Sequence, residues 1–228
     1  MFNVTYNSKT PANFNCWLAT IPVLTPSEIV RTVQTVPMMD GDLLVGDESR
    51  SDAYWDFTIH GKRDDLTTKM RQVRQWLSGE GVLTFSDATD AYYEVKECKY
   101  TQIMKKDEKY GRVAVQMRVY PYEFLMSGDT DITSYSTIAN SADTSKPLYK
   151  IVGSGSGVLT VNGHQMSYTV SGTLYIDTRR KIAYDGSGNG KDSVINGDYE
   201  GLYLKSGNNS ITCTAGTLTV KPKWGYKI

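Results

Sequence analysis

The stretch RQWLSGEGVLTFSDATDAYYEV, residues 74–95, contains the change of periodicity that decides the fold. Before it, Leu66, Met70, Val73 and Leu77 recur at helical spacing, with Thr68, Lys69, Arg71, Arg74 and Gln75 on the other side. That is the pattern of a helix over residues 65–77 resting one face on a core. Asp64 is placed to cap its start and Gly79 to stop it, because glycine readily takes the left-handed conformation that ends helices. Trp76 lies beside the apolar stripe, where it can cover the edge of a sheet. After Gly79 come a short apolar strand, an acidic turn, and a second strand opened by Tyr92 and Tyr93. Nothing in the stretch forms a nucleophilic site, a metal site or a phosphate cradle, so it reads as a packing unit.

Working outward, tyrosine dominates. The chain has 16 of them, mixed with Val, Ile, Thr and turn residues, which is strand composition. In RVAVQMRVY, Val113, Val115, Met117 and Val119 alternate with Ala114, Gln116, Arg118 and Tyr120, the period of a half-buried strand. YYEVKECKYTQI slips phase between Val95 and Cys98, which predicts a bulge. KKDEKYG joins these two runs as a charged hairpin loop, and Asn162-Gly163 marks another hairpin between GVLTV and HQMSYTV. A second helix start is possible at TPSE, where Thr25 and Glu28 have capping-box spacing and Pro26 follows the cap.

The composition changes after VYPYEFLMSG. Residues 129–146 are polar and rich in Ser, Thr, Asp and Asn, and read as a linker between a first domain, 1–128, and a second, 147–228. The second holds short strand-like runs at LYKIVG, GVLTV, GTLYID, KIAYD, GLYLKSG and NSITCTAGTLTV, a spacing that fits a β-sandwich. No internal repeat is visible.

Charge and chemistry narrow the function. Lys+Arg and Asp+Glu are equal at 25 each, so net charge gives no reason for sequence-specific nucleic acid binding or for attraction to an acidic membrane. No apolar run approaches a bilayer span, and the start has no signal pattern, so no membrane insertion is expected. Cys16, Cys98 and Cys213 are distant and odd in number, which fits reduced thiols in a protein made in a cytosol. His60 and His164 stand alone, without a second His, Cys or carboxylate at ligand spacing. The glycines of residues 153–157 precede strand-like VLTV where a dinucleotide loop needs a helix. Gly190-Lys191 lacks the P-loop's first glycine, since Asp185 stands there, and Asp192 replaces the Ser or Thr. Residues 185–196 mimic half of a calcium loop through Asp185, Ser187, Asn189 and Gly190, but Asn196 stands where the bidentate Glu belongs. No enzyme, no cofactor and no metal site is therefore expected. The aromatic end, with Trp224 and Tyr226, is the one feature that favours an alternative, a carbohydrate-binding β-sandwich adhesion module.

The run FTIHGKRDDLTTKMRQVRQWLSGEGVLTFSDATDAYYEVKE resembles the first domain of the distal tail proteins (Dit) of long-tailed bacteriophages. RVYPYEF is similar to that family's domain end, and NSADTSKPLYKIVGSGSGVLTVNG to its entry into the second domain. GTLYIDTRRKIAYDG and GLYLKSGNNSITCT resemble its later strands, so the likeness spans residues 57–214. It departs at Met38-Met39-Asp40-Gly41, where family members often carry a GRDG-like turn. The resemblance implies a mainly β chain: a tail-tube-like split β-barrel or sandwich with one packed α-helix, then a galectin-like β-sandwich. It implies a structural hub, a homo-hexameric ring at the end of the tail tube through which DNA passes. The implied partners are the tail-tube protein, the tail-associated lysin or tail-tip protein and, in some phages, a receptor-binding protein. The implied location is the virion tail tip, after synthesis in the bacterial host cytoplasm. The chain is too short for the long arms or inserted sugar-binding modules of larger members.

A ring subunit must present two complementary faces. VQTVPMMDGDLLVGDES is a candidate for one of them. Val36, Met38, Met39, Leu43, Leu44 and Val45 give it apolar surface that a loop of a monomer does not need, and methionine adapts to a neighbour's shape. The competing expectation is an ordinary hairpin whose apolar residues enter the subunit's own core.

Overall fold

A computed structural model of the chain describes all residues except 1, 39, 47–48, 63–65, 107–109 and 134–136. The side chains of 66–67, 101–106 and 110 also lie outside the described set. The fold is mainly β with one α-helix, and the chain divides into two compact units: Met1–Glu123 with Lys227–Ile228, and Phe124–Tyr226.

In the first unit the strands are β1 (Val4–Tyr6), β2 (Cys16–Leu18), β3 (Val23–Thr25), β4 (Thr32–Thr35), β5 (Asp42–Val45) and β6 (Ala53–Lys62). The helix α1 (Leu66–Trp76) follows, then β7 (Gly81–Phe85), β8 (Ala88–Lys106) and β9 (Tyr110–Val119). The main sheet runs β1-β7-β8-β9-β6-β2, with β3 also paired to β6. Val113, Val115, Met117 and Val119 of β9 are all buried, as their alternation predicts, and the expected phase slip appears as a register shift between Val95 and Glu97. A second shift, between Tyr100 and Gln102, bends β8 again.

The helix seats Met70, Val73, Trp76 and Leu77 in one core with Ile59, Leu83 and Val95. Gly79 stops it at φ +81°, while Asp64 lies outside the described residues. Trp76 is buried among the core residues, and its indole N–H donates to the Tyr6 carbonyl at 2.8 Å. No helix forms at Thr25–Glu28. The Ser27 N–H and hydroxyl both donate to the Ile228 carbonyl, and the Glu28 N–H donates to the Ser51 hydroxyl at 2.9 Å. Extended partners consume the donors that a helix start would use.

The second unit holds β11 (Thr137–Asn140), β12 (Leu148–Val161), β13 (His164–Asp177), β14 (Ile182–Asp185), β15 (Ile195–Asn196), β16 (Gly207–Cys213) and β17 (Thr217–Lys221). The short strands β10 (Tyr122–Leu125) and β18 (Gly225–Lys227) span the two points where the units divide. Asn162 and Gly163, at φ +50° and +87°, close the β12–β13 hairpin in the two-residue turn their identities predict. The apparent turn at residues 153–157 is no break. LYKIVG and GVLTV are one strand, paired to β13 from Leu148↔Asp177 to Val161↔His164. One half of β12 pairs with β17 and the other with β16, and both halves feed a single core through Tyr149, Ile151, Leu159 and Val161. A Cβ at Gly157 would meet the Tyr168 hydroxyl at 2.6 Å, so the glycine is there for close approach. GLYLKSG is likewise a short 3₁₀ turn and a bridge from Leu204 to Ser145.

The expected boundaries shift accordingly. Residues 129–146, read as a linker, contribute β11, which pairs with β16, and place Asn140 and Ser145 in buried positions. Ser/Thr/Asp-rich sequence looked solvated because its burial depends on side-chain hydrogen bonds: Asn140 accepts from the Ala142 N–H at 2.9 Å and donates to the Asp143 carbonyl at 2.9 Å.

Candidate functional site

The pairing of β3 with β6 does not end at Thr25 and Tyr54. Ile29 bridges Arg50, the Val30 N–H reaches the Ser49 carbonyl at 2.9 Å, and β4 then pairs with β5 from Thr32↔Val45 to Thr35↔Asp42. The described residues of 28–51 thus form one arm, built as a two-stranded ribbon separate from the main sheet. Gly46 is required where the strands close up, since a Cβ there would meet the Val30 carbonyl at 2.8 Å.

The arm has almost no core of its own. Val33 is 60% exposed, Leu43 43%, Leu44 55% and Val45 46%. Met38, at φ +69° in the turn, is fully exposed, and Val36 is half-buried. Met39 lies outside the described residues. The apolar residues singled out in the sequence therefore share one protruding element, and the described ones do not enter the subunit's core. Sequence reading missed Val33, Ile29 and Val30 on the same arm, and Ile21 and Val23 at its root, all exposed. Their signal was present in the alternation of TVQT, which pairs one apolar residue with polar neighbours.

The other candidates resolve into structure. His60 sits on β6 with its ring edge-on to Trp17 at 6.0 Å, and His164 is exposed at the β12–β13 turn. The Asp185 carboxylate accepts from the backbone N–H of Asn189 (3.0 Å), from that residue's side-chain amide and from the Ser187 N–H (2.9 Å), and those bonds hold it below the usual carboxylate range. The calcium-like loop is a self-satisfied turn, and Asn196 is drawn away into β15 against Ser167. Among the described residues no group of three or more His, Cys, Asp or Glu side chains gathers as for a metal. Trp224 packs against the second core, while Tyr226 is 42% exposed. Cys16, Cys98 and Cys213 are free thiols, and burial pushes that of Cys98 up to about 11.

Two of the open clefts among the described residues are sizeable. One, of about 520 Å³, has Phe14 stacked on Trp76 beside Gln72 and Gln75; the other, of about 700 Å³, is lined largely by hydroxyls. In the second, Ser156 bonds Thr169, Thr214 accepts from the Val158 N–H, and Ser167 donates to the Asn196 carbonyl. Its hydroxyls serve the sheet.

The chain aligns with the crystal structure of the SPP1 Dit (gp 19.1) protein, described as a paradigm of the hub adsorption apparatus in phages that infect Gram-positive bacteria. The alignment covers 100% of this chain and 99% of that one, with a TM-score of 0.67. The fold is that of Dit. Sequence identity to SPP1 Dit is 14%, so the likeness is carried by architecture, and the arm's side chains must be argued from this chain alone. A scan with protein-family models gave no match, and a search of curated proteins gave none either.

Proposed function

We propose that this chain is a structural distal tail protein, a baseplate hub of a long-tailed bacteriophage. The observation that carries the reading is the full-length structural match to a phage hub protein. Supporting it, the conspicuous surface feature of the first unit is an apolar arm. On this reading six copies form a ring at the end of the tail tube. The ring lets DNA pass, joins the tube to the tail-associated lysin or tail-tip protein, and in some phages holds receptor-binding proteins. The first unit forms the ring and the second, galectin-like unit projects from it. Val36, Met38, Met39, Leu43, Leu44 and Val45 belong to the ring contact.

Size-exclusion chromatography with light scattering tests the assembly. Six chains of 25.4 kDa give a particle of about 152 kDa. A single species at the mass of one chain across the accessible concentration range contradicts a self-assembling hub.

A further inference from the structure

The 520 Å³ cleft of the first unit differs in kind from the hydroxyl-lined one. Three short pieces wall it: the turn at residues 7–9, the 3₁₀ turn Pro11–Phe14, and the last turns of α1 with Ser78 beyond them. Each wall is held by bonds of its own. The Tyr6 N–H donates to the Lys9 carbonyl at 2.8 Å and the Lys9 N–H to the Tyr6 carbonyl at 3.0 Å. Asn7 Oδ1 accepts from the Val82 N–H at 3.0 Å, and Asn13 Oδ1 from the Thr10 N–H at 2.7 Å. Ser78 donates its hydroxyl to the Gln75 carbonyl at 2.6 Å. The walls are therefore set before any ligand arrives, which lowers the ordering cost of binding.

An aromatic pair forms the floor. Trp76 is 7% exposed, and Phe14 stacks on it with ring centroids 5.1 Å apart and planes at 28°. One side of the Phe14 ring rests on the indole, while the ring stays half-buried and lines the cleft. Beside it stand Gln72 and Gln75, both exposed, and Lys9. None of these three side chains bonds a described residue. In the other cleft the hydroxyls are spent on the sheet; here the polar groups are free for a ligand.

The chemistry of the lining selects that ligand. A primary amide offers two donors and an acceptor at once, so it suits groups that both give and take hydrogen bonds. Sugar hydroxyls are such groups, and the C–H face of a sugar ring packs on the electron-rich face of an aromatic ring. A hard cation would need carboxylate oxygens, and none lines this cleft. An added peptide strand would need free edge groups, yet Lys9 and Trp76 already take both backbone groups of Tyr6 at the end of β1. Charge is balanced as well. Lys9 is the one cation of the lining, and α1 brings its C-terminal end, worth about half a negative charge, to the same cleft. An anion gains little there. The volume lies within the roughly 300–1,000 Å³ of small-molecule sites.

We infer that this cleft binds a neutral saccharide, one sugar ring lying on Phe14 with its hydroxyls shared between Gln72 and Gln75. The site is distinct from the aromatic end at Trp224 and Tyr226, and it does not depend on ring assembly.

Saturation-transfer NMR on the full chain tests it, because the method reads the sugar and works for one chain or for a ring. The probes are the trisaccharides of glucose, galactose and N-acetylglucosamine, with the galacturonate trimer as an acidic counterpart. At least one neutral trimer is expected to bind with a Kd of about 1 mM or tighter, and the galacturonate trimer no tighter than the galactose trimer. Phe14→Ala, and Gln72→Ala with Gln75→Ala, are each expected to weaken that binding roughly 10-fold. Circular dichroism verifies folding; should Phe14→Ala uncover Trp76 and unfold the chain, the exposed glutamine pair still decides the matter. Absence of binding by all three neutral trimers overturns the site. Binding that the glutamine pair leaves unchanged places the sugar elsewhere and overturns it too. A galacturonate trimer that binds 10-fold tighter than the galactose trimer makes this an anion site governed by Lys9, and the neutral saccharide is wrong.

Discussion

Asp52 accepts from Lys96 Nζ at 2.5 Å and Arg118 Nε at 2.5 Å, with its own side chain only 10% exposed. Burial raises its carboxyl, but bonds and charge from Lys96 and Arg118 outweigh that and hold it below the usual carboxylate range. The stability consequence has a definite sign. Between the folded value and the ordinary value of about 3.9, the unfolded chain takes up a proton that the folded chain refuses. The contribution is therefore complete above about pH 4 and is lost as pH falls through the folded value. Asp52→Asn is expected to cost roughly 1–2 kcal/mol at pH 7, a modest figure because both cations are partly solvated. Urea denaturation at neutral and acid pH checks it: the variant should lose less stability on acidification than wild type, and an equal loss in both would show that Asp52 is not the group. At this scale the sequence was legible where burial is apolar, as along β9. It was not legible at Asn209, which is fully buried and tied to Lys205 N and O, each at 2.8 Å, and to Asn162 at 2.7 Å. Propensity reads neighbours along the chain, and that asparagine is stabilised by residues as far as 71 positions away, through the Ile138 carbonyl.

At the scale of elements, α1 and the hairpins were readable because their signals are local: a stripe, a stopping glycine, an Asn-Gly turn. Long strands were not. GSGSG looks like punctuation, yet glycines inside β12 let it approach Tyr168 and continue into a second pairing. TPSE looks like a helix start because capping-box spacing is also local, whereas the Ile228 carbonyl that claims Ser27 lies at the far end of the chain. The arm is an element whose composition was noticed and whose shape was not. Since its described residues are almost all exposed, it should be removable. Replacing residues 31–48 by Asn-Gly joins Val30 to Ser49 through a two-residue turn. The shortened chain should melt within about 4 °C of wild type, the scale of a surface change in a domain of this size, and should not assemble. A large loss of melting temperature in differential scanning calorimetry would place the arm in the folding core.

At the scale of the whole molecule, the order of the pieces mattered more than any one of them. Helix, short strand, acidic turn and tyrosine strand are each common; their succession over residues 57–214 pointed to the architecture that the structure shares with SPP1 Dit. Details of division were less legible: the compact units part at Glu123 and Phe124, and Lys227–Ile228 group with the first. A terminal YKI has no feature that assigns it to either unit, whereas the bonds of Ile228 to Ser27 and Pro121 do. Negative-stain electron microscopy of the purified chain tests the proposed hub assembly most directly. The prediction is class averages of a six-fold ring with an open centre. Fields of single particles at concentrations where light scattering shows one uniform species, or closed assemblies without a central opening, would contradict it.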